Sequence, residues 1–318
     1  MGNTFYFQFE PALMEWLQGT LGVIGTAFFS FITLLGESGI LVAVIAVFYL
    51  GFDKELGRFI GTNVVCATAW NPLIKNLALR RRPYFDNSGI ECLKPVNSGG
   101  DIYDIAAQGY SFPSGHAMSS AATYGTIALR ARIEGMDYGS KTKGRILWLV
   151  AFFLPFIIGL SRVVLGVHYP TDVIFGWAAG YAIAIGLSAV QKKVKNHNLF
   201  RLILVIITLP GIFYCHTDDY YSSLGLMIGL FIAFWFEEKY VNFPQTNDPL
   251  VIVLRIALGA AIFLGLNALL KLPFSEAFLE SETGPAFMVR ALRYGIATFT
   301  AMGLFPMTFK SKLLSGKL

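Results

Sequence analysis

The sequence predicts an all-α, polytopic membrane helix bundle, and three observations carry that prediction. Of its 318 residues, 55% are hydrophobic and only 14% are charged, against roughly 25% charged in an ordinary soluble domain. The mean hydropathy is +0.58. The apolar residues gather into successive runs close to the about 20 residues that cross a hydrocarbon core. The same figures exclude a soluble globular domain, a disordered chain and a fibrous protein. The 25 Lys and Arg exceed the 20 Asp and Glu by only five, and they are too dispersed among apolar runs to form a nucleic-acid-binding stripe. Cys66, Cys92 and Cys215 make no disulfide framework, and no CxxC pair or Cys/His cluster has the spacing of a structural metal site. Neither a metal nor a cofactor is called for.

Ten spans are expected in order: Trp16 to Leu35, Gly39 to Phe52, Phe59 to Leu79, His116 to Ala131, Ile146 to Gly166, Asp172 to Val190, Leu199 to Cys215, Leu224 to Trp235, Leu250 to Leu270 and Met288 to Phe309. The first follows Glu10 and Glu15 rather than a basic stretch, and no small-residue cleavage pattern follows it, so it reads as a retained helix rather than a signal peptide. The second, fourth and eighth are short. Pro155, Pro210 and Gly176 fall inside spans, where neighbouring helices can satisfy loosened backbone groups.

With the N-terminus in the cytoplasm and the spans alternating, 16 of the 25 Lys and Arg fall on the cytoplasmic side. They are Lys54 and Arg58; Arg130, Arg132, Lys141, Lys143 and Arg145; Lys192, Lys193, Lys195 and Arg201; Lys239 and Arg255; and Lys310, Lys312 and Lys317. That excess orients the chain. Lys271, Arg290 and Arg293 read as membrane-edge residues snorkelling toward water in preference to lining a substrate entrance, and Arg80 and Arg81 as flanking charges that contact lipid headgroups or substrate. The long polar connection from Arg80 to Pro113 then lies outside, and its length is that of a functional or a disordered loop. Tyr84, Tyr103, Tyr110, Tyr169, Tyr214, Tyr220 and Tyr221 fall near the same boundary, as an aromatic belt would.

Three stretches set basic residues and histidines beside spans, where an ionisable group is expensive and therefore suspect as functional. In the run from Lys75 to Pro83, Lys75 precedes Arg82 by two helical turns, which would place both heads on one face of the third span. Pro113-Ser114-Gly115-His116 opens the fourth span, and Ser161-Arg162 is followed by His168 and Asp172 between the fifth and sixth. All three fall on the outer side. The chemistry this suits is phosphoryl transfer, whose equatorial oxygens need positive charge and directed donors. Arginine supplies a planar fork, lysine a compact charge, and the Ser114 and Gly115 amides at a helix N-terminus an anion seat. One histidine must attack phosphorus and a second must protonate the departing oxygen. Asp172, four residues after His168, can accept from one ring nitrogen and leave the other bare and aimed.

K-x6-RP, PSGH and SR-x5-H-x3-D together resemble the three-part signature of the type 2 phosphatidic acid phosphatase superfamily. The resemblance implies a six-helix membrane core over residues 1–190; the span count adds about four C-terminal transmembrane helices over 191–318, which look more like the sphingosine-phosphate phosphatases. The resemblance also implies a metal-independent lipid phosphatase acting through a phosphohistidine. Carried over by position, Lys75, Arg82, Ser114, Gly115 and Arg162 would bind phosphate. His116 would be the acid toward the leaving group, His168 the nucleophile and Asp172 its partner. The substrate would come from the bilayer, its head group reaching an extracytoplasmic site.

The alternatives are a sugar-phosphate hydrolase of the glucose-6-phosphatase kind, whose third motif lacks the aspartate present here, a lipid phosphotransferase, and a transporter in which the cations merely line an anion path. The last accounts for the charges but not for the PSGH turn or Asp172. Substrate identity and oligomeric state are not legible in the sequence.

Overall fold

The computed structural model describes residues 2–133, 141–311 and 314–315. Lys312 and Lys317, counted above for orientation, lie outside the described residues, as do the side chains of Arg132, Lys141, Lys143 and Arg145. Among the described residues the backbone forms 13 α-helices and no β-strand. They are α1 (Phe9–Ile32), α2 (Ser38–Ala46), α3 (Lys54–Ala78), α4 (Pro83–Asp86), α5 (Ile105–Gln108), α6 (Gly115–Ile133) and α7 (Lys141–Val164). There follow α8 (Pro170–Lys193), α9 (His197–Thr208), α10 (Asp218–Phe236), α11 (Pro249–Leu269), α12 (Glu276–Leu279) and α13 (Gly284–Phe299).

Each expected span coincides with a helix, yet only four helical stretches are both long and apolar enough to cross a membrane by composition: Phe9–Gly36, Pro170–Lys193, Asp218–Val241 and Pro249–Leu269. The others are shorter or carry polar residues on faces turned into protein. In α6, Ser120, Thr123 and Thr126 are buried and donate back to the carbonyls of Ala117, Ser119 and Ala122, which satisfies hydroxyls that lipid could not. The chain is a multi-pass membrane protein.

Contacts divide the chain into two compact units, residues 1–41 with 70–189 and residues 42–69 with 190–318. In the first unit α1 and α6 pack on α7. Pro155 inside α7 cannot donate to the Ala151 carbonyl, and the Tyr181 hydroxyl takes that acceptor at 3.0 Å, while the Trp177 indole donates to the Pro155 carbonyl at 2.9 Å. Helix α8 lies close against α6: a Cβ on Gly176 would stand 2.7 Å from the Ser114 carbonyl and 2.9 Å from the Ala117 Cβ.

In the second unit α10 packs on α13. Glu237 is fully buried and pairs with Arg58 and, at 3.0 Å, with Lys54. Arg201 and Arg58 both reach Glu238. Arg255, also fully buried, donates to the carbonyls of Leu50, Pro244 and Leu314. Two expectations change here. Arg293 is buried with Asn267 and Arg290 pairs with Asp218 at 2.6 Å, so these arginines hold helix ends together instead of snorkelling. Tyr84, Tyr169, Tyr220 and Tyr221 are buried rather than belted, because their rings pack in the cores of their units. All three cysteines are free thiols.

Candidate active site

The first unit assembles the three motifs. The first departs from expectation: α3 ends at Ala78, Leu79 turns into the left-handed region at φ 55°, and Arg80 is extended, bridged to Asn3. Lys75 thus stays on the helix while Arg82 leaves it as the residue before α4, so the two do not share a helix face. Arg82 is buried, and its Nε donates to the carbonyls of Gln108 and Gly109, both at 3.0 Å. Its Nη1 donates to the Val167 carbonyl at 2.8 Å and stands 3.5 Å from His168 Nε2.

The second motif opens α6. Asn71 of α3 donates to the Pro113 carbonyl at 3.1 Å, and its Oδ1 would stand 3.2 Å from a Cβ on Gly115, which keeps that position small. The Ser114 amide donates to the Asp172 carbonyl at 2.9 Å, so the expected anion seat falls to the Gly115 amide and the Ser114 hydroxyl. That hydroxyl is buried without a hydrogen-bond partner, and so is His116 Nε2. Buried polar atoms are nearly always paired, and orphans at a site of this kind are places where a ligand atom belongs.

The spacing of the third motif has a local cause. The Arg162 carbonyl accepts from the amides of both Val167 and His168 at 3.2 Å, closing the turn that hangs His168 below the end of α7. Gly166 makes the turn possible at φ 78°, where a Cβ would also collide with the Glu91 carbonyl. Arg162 is buried, and its Nη1 donates to Thr33 at 2.8 Å.

His168 Nδ1 faces Asp172 Oδ2 at 3.4 Å and the Ser111 hydroxyl at 3.5 Å. Asp172 is fully buried; its Oδ2 accepts from Ser111 and, at 2.8 Å, from the Tyr169 amide, and its Oδ1 accepts from Arg80 at 2.6 Å. With the proton on Nδ1 toward the carboxylate, Nε2 presents its lone pair on the side of Arg82. Burial, followed by the charges of Arg82, Arg162 and Lys75, pushes the His168 imidazole well below the usual histidine value and keeps it neutral. His116 lies within electrostatic reach of Arg162, His168, Lys75 and Lys94. The charges of Arg162 and Lys75 thus act on both imidazoles.

Sequence reasoning overlooked Ser111, Thr33, Glu10 and above all Arg80. The sequence reads Arg80 as a flanking charge at the membrane edge, but it is 1% exposed and bonded to Asp172. Nothing in the run of three arginines distinguishes it from Arg81, which lies at the surface with Asp86. Among the described residues no three His, Cys, Asp or Glu side chains come together as a metal site.

Comparison with known proteins places these motifs in context. The family model described as the PAP2 superfamily matches residues 56–196, and a second, described as the PAP2 superfamily phosphatase transmembrane extension, matches residues 221–317. Phosphatidylglycerophosphatase B of Bacillus subtilis is 35% identical over 27% of this chain and 42% of its own length. Glucose-6-phosphatase catalytic subunit 1 of Mus musculus is 29% identical over 54% of this chain and 53% of its own. The chain thus spans about half the length of the curated relatives it matches. A crystal structure of a transmembrane PAP2-type phosphatidylglycerolphosphate phosphatase from Bacillus subtilis aligns at 24% identity over 58% of this chain and 87% of that one, with a TM-score of 0.45.

Proposed function

The chain belongs to the PAP2 superfamily, and from that premise we propose that it is an integral-membrane phosphatase hydrolysing a lipid phosphomonoester or diphosphate through a phosphohistidine. The observation that carries the reading is His168, with Nδ1 toward Asp172 and Nε2 beside Arg82, under the same cations as a second, half-buried histidine. His168 Nε2 attacks phosphorus, the bond from phosphorus to the leaving oxygen breaks, and His116 gives that oxygen its proton. Lys75, Arg82 and Arg162 hold the equatorial oxygens, with Ser114 and Gly115 assisting. His116, now neutral, takes a proton from water as the water attacks phosphorus; the N–P bond breaks and the imidazole is restored. Asp172 stabilises the charge that His168 carries between the steps. This inventory uses no metal, and the site would face the extracytoplasmic side.

A lipid substrate is favoured because the motifs sit at the ends of membrane helices, where a head group reaches the histidines while its tail stays in the bilayer. Glucose-6-phosphatase similarity over about half the chain supports a second reading, a sugar-phosphate substrate. One experiment separates them. Purified protein is offered phosphatidic acid, phosphatidylglycerol phosphate, sphingosine phosphate, undecaprenyl diphosphate and glucose phosphate, and released phosphate is compared for wild type, His168→Ala and His116→Ala, with and without EDTA. A lipid phosphate cleaved by wild type alone, indifferent to EDTA, is expected. Cleavage of glucose phosphate alone would overturn the lipid reading; loss of activity in EDTA would overturn the metal-free mechanism; unchanged turnover in His168→Ala would overturn the phosphohistidine.

A further inference from the structure

Behind Asp172 lie two further buried charges, Glu10 and Arg80, that are not among the residues carried over from the motifs. Glu10, Arg80 and Asp172 are 0%, 1% and 0% exposed. Arg80 Nη1 donates to Asp172 Oδ1 at 2.6 Å, and its Nη2 donates to Glu10 Oε2 at 3.2 Å. Glu10 Oε1 in turn accepts from the Thr171 amide at 2.9 Å and the Thr171 hydroxyl at 2.7 Å, and that hydroxyl also accepts from Arg80. The guanidinium is clamped between two rings, 4.7 Å from Phe5 and 4.1 Å from Tyr169. The segment before α1 supplies this clamp: Asn3 exchanges backbone hydrogen bonds with Leu79 and Arg81, and Tyr6 stacks on Tyr169. Arg80 therefore has no freedom to swing toward a substrate.

Its geometry serves another purpose. A carboxylate has two oxygens, and Asp172 needs one of them for His168. Occupying Oδ1 with a charge-assisted bond fixes the carboxylate's rotation and directs Oδ2 at the imidazole. Glu10 balances the buried guanidinium and ties it to Thr171, the residue before Asp172, so the aspartate is gripped through both its side chain and its backbone neighbour.

We propose that Arg80 and Glu10 are positioning residues for His168, acting through Asp172: the ion-paired row Glu10–Arg80–Asp172 sets the orientation and tautomer of the nucleophilic imidazole. The proposal rests on the phosphatase reading of the site. A misaligned nucleophile slows the covalent step and leaves phosphate binding intact, a separation that simple loss of fold does not produce.

The experiment uses the full chain in detergent with whichever phosphate ester wild type hydrolyses. Arg80→Met and Glu10→Gln are each expected to lower kcat about 10- to 100-fold, as sub-ångström misplacement does. KM and product inhibition by inorganic phosphate should change less than about threefold. Arg81→Gln, at the surface beside Arg80, should match wild type. In an Asp172→Asn background, adding Arg80→Met should cost less than about twofold, because residues acting as one unit are not additive. Full-sized loss in that background, weakened inhibition by inorganic phosphate with kcat intact, or unchanged kcat would overturn the positioning role while the wild-type phosphatase stands. Should Arg80→Met fail to fold, the isosteric Glu10→Gln decides on the same criteria. A wild type releasing no phosphate from any ester would overturn the phosphatase reading and this proposal with it.

Discussion

Replacing Gly176 by alanine tests whether the close approach of α8 to α6 sets the site. Gly176 lies one turn after Asp172, and the Ser114 segment meets both: its amide bonds the Asp172 carbonyl at 2.9 Å, and its carbonyl would stand 2.7 Å from the new Cβ. Ordinary contact begins at 3.4 Å, so the helices must part by about 0.7 Å at the point where the second and third motifs join. Overpacking of this kind costs about 1–3 kcal/mol, partly offset by the roughly 0.5–1 kcal/mol that alanine gains over glycine in a helix. Misplacement of 1 Å costs about 100-fold in rate, so a shift of this size should lower kcat about 10- to 30-fold. Gly186, on the same helix with open space around it, is the matched control: its alanine variant should be neutral or slightly stabilised. Both variants are compared in detergent by thermal unfolding and by phosphate release. If Gly176→Ala and Gly186→Ala behave alike in both assays, the packing argument fails.

His168 is held below the usual histidine value by burial and then by Arg82, Arg162 and Lys75, so its neutral form persists as pH falls through about 6.5 and the acid limb of kcat/KM lies lower still. Lys75→Met removes one of those cations and should move the limb to higher pH on the same substrate; a shift the other way would refute the assignment. Thr33→Val deprives the buried Arg162 of its acceptor at 2.8 Å and should cost about 1–3 kcal/mol. It should also raise KM, with Thr33→Ser restoring both, as thermal unfolding and kinetics will show. In the second unit, Glu237→Gln breaks the pairs with Arg58 and Lys54 and should lower stability by about 3–5 kcal/mol. Turnover per folded molecule should not change.

Helices over the expected spans were legible because apolar runs favour helix, although only four stretches are long and apolar enough to cross a membrane by composition, and the second and third motifs were legible because their spacing follows local geometry. The turn from Arg162 to His168 is closed by a single carbonyl, and the PSGH run by the start of a helix. Long-range partners were not legible. Glu10 finds Arg80 across 70 positions and Arg80 finds Asp172 across 92, distances over which no periodicity carries information. The face shared by Lys75 and Arg82 was misread for a different reason. The helix stops at Ala78 because Leu79 leaves helical geometry and the chain pairs with Asn3, a tertiary event that overrides helical spacing. Four of the seven tyrosines expected at the bilayer edge, Tyr84, Tyr169, Tyr220 and Tyr221, are held in the protein interior instead.

The hydrogen bonds of Arg82 bear on what counts as a conservative exchange. This side chain reaches Gln108 and Gly109 on the long connection and Val167 on the histidine-bearing turn, from nitrogens spread across a flat fork. A lysine there would keep the positive charge yet own a single nitrogen, too compact to bridge two separate stretches of main chain. An Arg82→Lys enzyme would consequently be crippled in its joinery before its electrostatics were touched, and adding guanidine to the medium would not mend it, since a diffusing cation has no tether with which to brace the two strands of chain.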